Sequence, residues 1–198
     1  MKLGIYGGTF SPPHKGHVDS AKAFCDQLKL DKLLIIPTNL PPHKDFAEIA
    51  SATQRLEMCG IAFSEIPCAS VSDMEIRRGG RSYTYLTLEE LSNGRDELYL
   101  LCGTDMILTF DRWVNFQLIF SLATICYVRR ETDEKINEQI ELKVNEYREK
   151  YGARIIPVQH NVIEVSSTEI RDSIRNGLGH RFVDENTLEY IFSRGLYR

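Results

Sequence analysis

The apolar positions of this chain change period repeatedly, and the changes outline its architecture. Lys2 to Gly7 (KLGIYG) is a short apolar run ending in glycine, which predicts a strand. From His17 to Leu30 the apolar residues Val18, Ala21, Phe24, Cys25 and Leu28 recur at helical spacing. Lys32 to Pro37 (KLLIIP) is apolar throughout, the pattern of a strand covered on both faces. Helical spacing returns over Thr53 to Glu65, with Leu56, Cys59 or Gly60, and Phe63 on one side. Ala69 to Ile76 alternates as a strand does, Tyr83 to Ser92 reads as a helix, and Glu97 to Cys102 (ELYLLC) is a further buried strand ending at Gly103. Asp105 to Phe120 predicts two short helices, Ala123 to Val128 a fifth strand, and Thr132 to Tyr151 a charged helix with a solvated face. Arg154 to Val158 makes a sixth strand, and helices over Ser167 to Asn176 and Glu185 to Arg194 close the chain.

Strands that alternate with helices are βαβ units, and these assemble into a doubly wound, mostly parallel α/β sheet flanked by helices. Such a sheet takes its ligand at the carboxyl ends of the strands, beside the point where the strand order reverses. There is no internal repeat, low-complexity tract or linker, so residues 1–198 are expected to form a single domain. The most loop-like stretch is Thr38 to Phe46 (TNLPPHKDF).

Composition narrows the functional classes. Lys plus Arg number 24 against 28 Asp plus Glu, a formal net charge of −4. That balance argues against a protein that coats nucleic acid or an anionic membrane, while leaving room for a local basic pocket. No apolar run is long enough to span a bilayer, and MKLGIYGG lacks the features of a signal peptide. Five cysteines (Cys25, Cys59, Cys68, Cys102 and Cys126) stand singly, mostly among apolar residues, as reduced buried thiols of a cytoplasmic protein would.

The chemistry concentrates first in Gly7-Gly8-Thr9-Phe10-Ser11-Pro12-Pro13-His14-Lys15-Gly16-His17, which leaves the first strand, turns and enters the first helix. Glycine lets the backbone approach a ligand closely, and a helix N-terminus directs N–H groups at anions. His14 and His17 are three apart and face one side of a helical start. Three readings are open for them: metal ligation, capping and packing, or donation to phosphate oxygens and to the charge that grows there during reaction. No third ligand at a recognisable spacing supports a metal site. The glycines also do not follow the G-x-G-x-x-G dinucleotide pattern.

These residues carry a resemblance. GGTFSPPHKGH resembles the (T/S)-F-x-P-x-H-x-G-H signature of the HxGH nucleotidyltransferase superfamily, and Ser166-Ser167-Thr168-Glu169-Ile170-Arg171 resembles its second signature, S-S-T-x-I-R. Pro41-Pro42-His43-Lys44, Ser82-Tyr83-Thr84-Tyr85, Gly103-Thr104-Asp105 with Trp113, and the C-terminal Gly195-Leu196-Tyr197 are similar to the bacterial nicotinate-nucleotide adenylyltransferases, so the likeness covers essentially the whole chain. The resemblance implies a Rossmann-like nucleotidyltransferase fold and the partners ATP and nicotinate mononucleotide. The adenylyl group would pass by direct in-line attack, giving nicotinate adenine dinucleotide and pyrophosphate in NAD biosynthesis.

The same resemblance assigns residues. His14, His17 and Arg171 would be catalytic. Gly7, Gly8, Thr9, Phe10, Gly103, Asp105, Ser167 and Thr168 would join them in holding ATP, and Lys44, Thr84, Tyr85 and Trp113 would hold the acceptor. Asp105 would meet a ribose hydroxyl and Trp113 the nicotinate ring. Mg²⁺ would ride on the ATP phosphates, with no metal site of the protein's own. Read without the resemblance, Ser167 and Thr168 are equally good helix N-caps, Asp105 an N-cap and Trp113 a core residue.

The chain departs from the family pattern at four places. Ser11 stands where Asp is usual, Leu86 where an acid is common, Arg129-Arg130-Glu131 where Arg-Pro-Gly is, and Val114 where an aromatic is. They bear on the shape of the acceptor site. Alternatives of the same fold are an enzyme accepting nicotinamide mononucleotide or phosphopantetheine, and a catalytically silent nucleotide-binding regulator. A homo-oligomer is compatible with all of them.

Overall fold

The computed structural model describes residues 1–40, 49–128, 134–159, 165–178 and 181–198. Its described strands are β1 (Lys2–Gly8), β2 (Lys32–Pro37), β3 (Ala69–Val71), β4 (Glu97–Gly103), β5 (Ala123–Val128) and β6 (Ile155–Val158). They form one sheet in the order β3-β2-β1-β4-β5-β6, with every neighbouring pair parallel. This is the doubly wound arrangement that the alternating pattern predicts. The chain steps outward from β1 to β3, then returns to the middle to begin again at β4. The order therefore reverses between β1 and β4, whose pairing runs from Lys2–Glu97 to Tyr6–Leu101. Gly8 and Gly103 each follow two residues later. The loops beyond them leave the sheet side by side, at the crevice where such sheets take ligands.

Neighbouring residues of one strand serve opposite cores, because side chains alternate across a strand. Leu33, Ile35, Leu101, Cys126 and Val128 pack with Ala21, Phe24 and Cys25 of α1 (Lys15–Leu28) and with Cys59 of α2 (Ala52–Ala62). Leu34, Ile36, Leu100, Cys102, Ile125 and Tyr127 face the other way. They are covered by α3 (Met74–Arg78), α4 (Thr84–Leu91), α5 (Thr104–Ile107), α6 (Phe116–Leu122) and α7 (Glu134–Tyr151). Burial on both faces is why KLLIIP and ELYLLC read as unbroken apolar runs, each such side chain contributing about 1.5–3 kcal/mol. A third cluster joins Met58 of α2 to Ile170 and Ile174 of α8 (Ser167–Arg175), Val183, and Ile191 of α9 (Glu185–Ser193). It fastens the last two helices to the flank of α2.

The pattern misleads in two places. The third strand ends at Val71 rather than Ile76, because Ser72 and Asp73 start a helix: the Ser72 hydroxyl accepts the Met74 N–H and the Asp73 carbonyl accepts that of Arg77. Asp105 to Phe120 holds α5, a 3-10 turn at Phe110–Arg112 and the start of α6, one short element more than expected. The charged helix α7 is amphipathic, burying Ile140, Val144 and Tyr147 along one stripe. All five cysteines are free, four of them buried and Cys68 half-buried. Among the described residues no helix is long and apolar enough to cross a membrane.

Candidate active site

The turn after β1 is built on an aromatic floor. Phe10 takes a left-handed backbone conformation (φ 47°) that swings its side chain beneath the turn, where it is 2% exposed. Its ring meets Tyr6, Phe63 and His17 edge-on, with centroids 5.4, 5.7 and 5.1 Å away. Gly8 is a consequence: a Cβ there would lie 2.9 Å from the Phe10 ring. Gly7 is different, since a Cβ would meet only the Ile36 carbonyl at 3.9 Å.

Helix α1 begins at Lys15, two residues earlier than its apolar spacing suggests, and His14 is its N-cap. His14 is buried and His17 half-buried, with ring centroids 3.7 Å apart. The His14 backbone N–H donates to Nδ1 of His17 at 3.2 Å. An imidazole accepting at Nδ1 carries its proton, when neutral, on Nε2. The backbone thus selects the tautomer of His17 and presents Nε2–H as a donor.

Helix α8 docks on this turn. Ser167 Oγ donates to the Pro12 carbonyl at 3.2 Å, and Arg171 Nη1 donates to the Ser11 carbonyl at 3.0 Å. Arg171 Nη2 reaches Thr168 Oγ1 at 3.1 Å, one turn back along its own helix. The cap of α8 is Ser166, not Ser167 or Thr168: its hydroxyl accepts the Glu169 N–H, and its own N–H donates to the Glu169 carboxylate at 2.7 Å. With capping done by Ser166, the other two hydroxyls serve the turn and the guanidinium.

Two further residues brace the turn: Arg55, which lies in none of the resembling stretches, and Tyr197, which ends the last of them. Arg55 of α2 is 2% exposed and donates from Nε to the Ala50 carbonyl, from Nη1 to that of Thr9 and from Nη2 to that of Asn39, each at 3.0 Å. Burial pulls its guanidinium below its ordinary pKa. At the far end of the chain, the Tyr197 hydroxyl pairs with Ser11 Oγ at 2.9 Å, and the same Oγ accepts the Ala50 N–H. Burial of the phenol pushes it up to about 12. Arg55 had one legible signal. It shares a helical face with Met58 and Cys59, at the spacing that marks the buried side of α2.

Of the other expected site residues, Gly103 closes β4 in a buried position and Asp105 is exposed in the first turn of α5. The cap position of α5 is Gly103, so Asp105 is not the N-cap. Thr84 opens α4. Tyr85 and Trp113 are half-buried and pack on the same hydrophobic cluster, the latter stacked on Phe110 at 4.6 Å. Lys44 lies outside the described residues, as do Arg129, Arg130 and Glu131. Among the described residues no group of three or more His, Cys, Asp or Glu side chains could hold a metal ion.

The cytidylyltransferase-like family model matches residues 5–173, spanning both the His14–His17 turn and Arg171. The chain belongs to this family. Within the cytidylyltransferase-like proteins it is 36% identical over 215 residues to the probable nicotinate-nucleotide adenylyltransferase of Desulfatibacillum aliphaticivorans, covering 100% of both chains. It is likewise 36% identical to the probable nicotinate-nucleotide adenylyltransferase of Clostridium botulinum, covering 100% of this chain and 98% of that one. The fold is shared with the nicotinic acid mononucleotide adenylyltransferase of Plasmodium falciparum, whose structure was solved with APC, at a TM-score of 0.73 and 15% identity over 99% of this chain and 96% of that one. A nicotinate-nucleotide adenylyltransferase structure from Vibrio parahaemolyticus, described as putative, matches at 0.68 with 18% identity over 100% and 96%.

Proposed function

We propose that this protein transfers the adenylyl group of ATP to nicotinate mononucleotide, forming nicotinate adenine dinucleotide and pyrophosphate. The observation that carries the reading is the docking of Ser167 and Arg171 on the Ser11–Pro12 carbonyls, which sets a guanidinium and a helix N-terminus beside two histidines. All three features attract a polyphosphate. The names of the full-length relatives supply the acceptor.

The attacking phosphate of the acceptor is already anionic at neutral pH, so the in-line step needs neither a general base nor a covalent enzyme intermediate. Positioning and charge stabilisation remain. His17, through Nε2–H, and His14 donate to the transferring and leaving phosphates, while Arg171 offsets the charge gathering on pyrophosphate. Gly7, Gly8, Thr9, Phe10, Gly103, Asp105, Ser167 and Thr168 line the ATP side, and Thr84, Tyr85 and Trp113 the acceptor side, with Lys44 beyond Leu40. The donors gathered at the turn are nitrogens suited to phosphate, not the hard oxygens Mg²⁺ prefers, so the fitting place for that ion is on the ATP phosphates with its waters. Bound there, it neutralises charge on the leaving group.

Pyrophosphate release with ATP and Mg²⁺ tests the reading, with nicotinate mononucleotide, nicotinamide mononucleotide and phosphopantetheine compared as acceptors. Turnover with the nicotinate acid is the expected result. Turnover with phosphopantetheine alone would reassign the acceptor, and none with any acceptor would overturn the activity.

A further inference from the structure

Arg55 is a buried cation whose hydrogen-bond partners, among the described residues, are backbone carbonyls and one hydroxyl. A buried charge without a counter-charge is costly, so its retention calls for a structural or functional return. Its acceptors come from three separate segments. Thr9 lies in the turn after β1, Thr38 and Asn39 in the turn after β2, and Ala50 just before α2.

The Asn39 end of this brace continues. The Asn39 N–H donates to Ser82 Oγ at 2.8 Å, its side-chain amide donates to the Gly80 carbonyl at 2.9 Å, and the Ser82 N–H returns to the Leu40 carbonyl at 3.0 Å. Ser82 is buried and stands two residues before Thr84. One unbroken path of hydrogen bonds thus runs from Thr9, beside the histidine turn, through Arg55 and Asn39 to the segment that opens α4.

We propose that Arg55, with Ser82 as its far anchor, is a positioning residue for the transfer step, holding the ATP-phosphate turn and the acceptor segment at a fixed separation. The proposal rests on the adenylyl-transfer reading above. In-line attack needs the acceptor oxygen and the α-phosphorus within a narrow range of distance and angle, and each substrate is held by a different end of the path. Loosening the path leaves either nucleotide able to bind alone and disturbs only their relation to each other. The guanidinium suits the task because its planar fork donates in several fixed directions at once, which an ammonium does not.

The test is Arg55→Lys, which keeps the charge and loses the fork. Turnover is expected to fall by roughly 10²-fold, the scale of an ångström misplacement. Calorimetric affinities for a non-hydrolysable ATP analogue and for nicotinate mononucleotide, each measured alone, should change by no more than a few-fold. If Arg55→Lys does not accumulate as folded protein, Ser82→Ala cuts the same path by a single hydroxyl, and Ser82→Thr restores it. The alanine should lower kcat with both affinities kept, and the threonine should recover it. Unchanged kcat in a folded Arg55→Lys or Ser82→Ala protein overturns the proposal, as does a loss of single-nucleotide binding that matches the loss of turnover. An unsubstituted protein inert with every acceptor would instead overturn the activity on which the proposal rests.

Discussion

Arg171 and Ser11 are 160 positions apart in the chain and are joined by a 3.0 Å hydrogen bond from guanidinium to carbonyl oxygen. The bond closes the candidate site, since Ser11 precedes the buried Pro12-Pro13-His14 stretch and Arg171 belongs to the helix that caps the turn from above. One arm of the guanidinium is thus a strut on the turn, while the other reaches back to Thr168 Oγ1 at 3.1 Å.

Arg171→Lys should therefore separate two roles. A lysine keeps the charge but cannot span both the Ser11 carbonyl and the Thr168 hydroxyl. Steady-state kinetics should show the Michaelis constant for ATP rising about tenfold, the loss expected for one charge-assisted hydrogen bond of about 1.5 kcal/mol. An unchanged constant would mean that the guanidinium is only a strut.

His17→Ala removes the donor whose tautomer the His14 N–H selects. Turnover should drop by roughly 10²–10³-fold, the cost of losing one oriented donor to developing charge. Circular dichroism should stay that of the parent, because His17 is half-buried at the start of α1. Near-normal turnover in the folded variant would remove His17 from the mechanism.

The adjacent glycines should behave oppositely. Gly8→Ala drives a methyl to 2.9 Å from the Phe10 ring, and that ring supports His17. It should lower stability by about 1–3 kcal/mol in chemical denaturation as well as lowering activity. Gly7→Ala meets only the Ile36 carbonyl at 3.9 Å and should leave stability alone. If ATP lies against that backbone, the methyl will raise its Michaelis constant; no change would place the nucleotide elsewhere.

Trp113 is half-buried with one face stacked on Phe110, so the ring is neither a sealed core residue nor a loose surface one. Trp113→Ala should raise the Michaelis constant for the acceptor up to about tenfold, the worth of an aromatic stack of 0.5–1.5 kcal/mol, and leave that for ATP nearly unchanged. Equal effects on both substrates would make Trp113 a packing residue only.

The sheet, its parallel sense and most helices were legible because burial on both faces leaves an unbroken apolar run, while burial on one face leaves a 3.6-residue period. Ala69 to Ile76 failed as a strand because alternation over so few residues does not distinguish a strand from a strand followed by one turn of helix. The candidates for the cap of α8 were Ser167 and Thr168, and the cap is Ser166. Ser166 followed three residues later by Glu169 has the spacing of a capping box, which the sequence carries and the structure closes.

Sequence by itself determined which residues stand at the carboxyl ends of the strands and which chemistry they bring: Gly7 to His17 after β1, Gly103 to Asp105 after β4, Ser166 to Arg171 at the head of α8. Tertiary structure alone decided which of them meet. It placed β1 beside β4, laid α8 on the Ser11–Pro12 carbonyls and drew Arg55 and Tyr197 beneath the same turn. The reason is physical. Periodicity records whether a side chain faces inward, a property of its own neighbourhood, whereas every residue offers a carbonyl acceptor. Which carbonyl a buried guanidinium takes is settled only when distant segments pack.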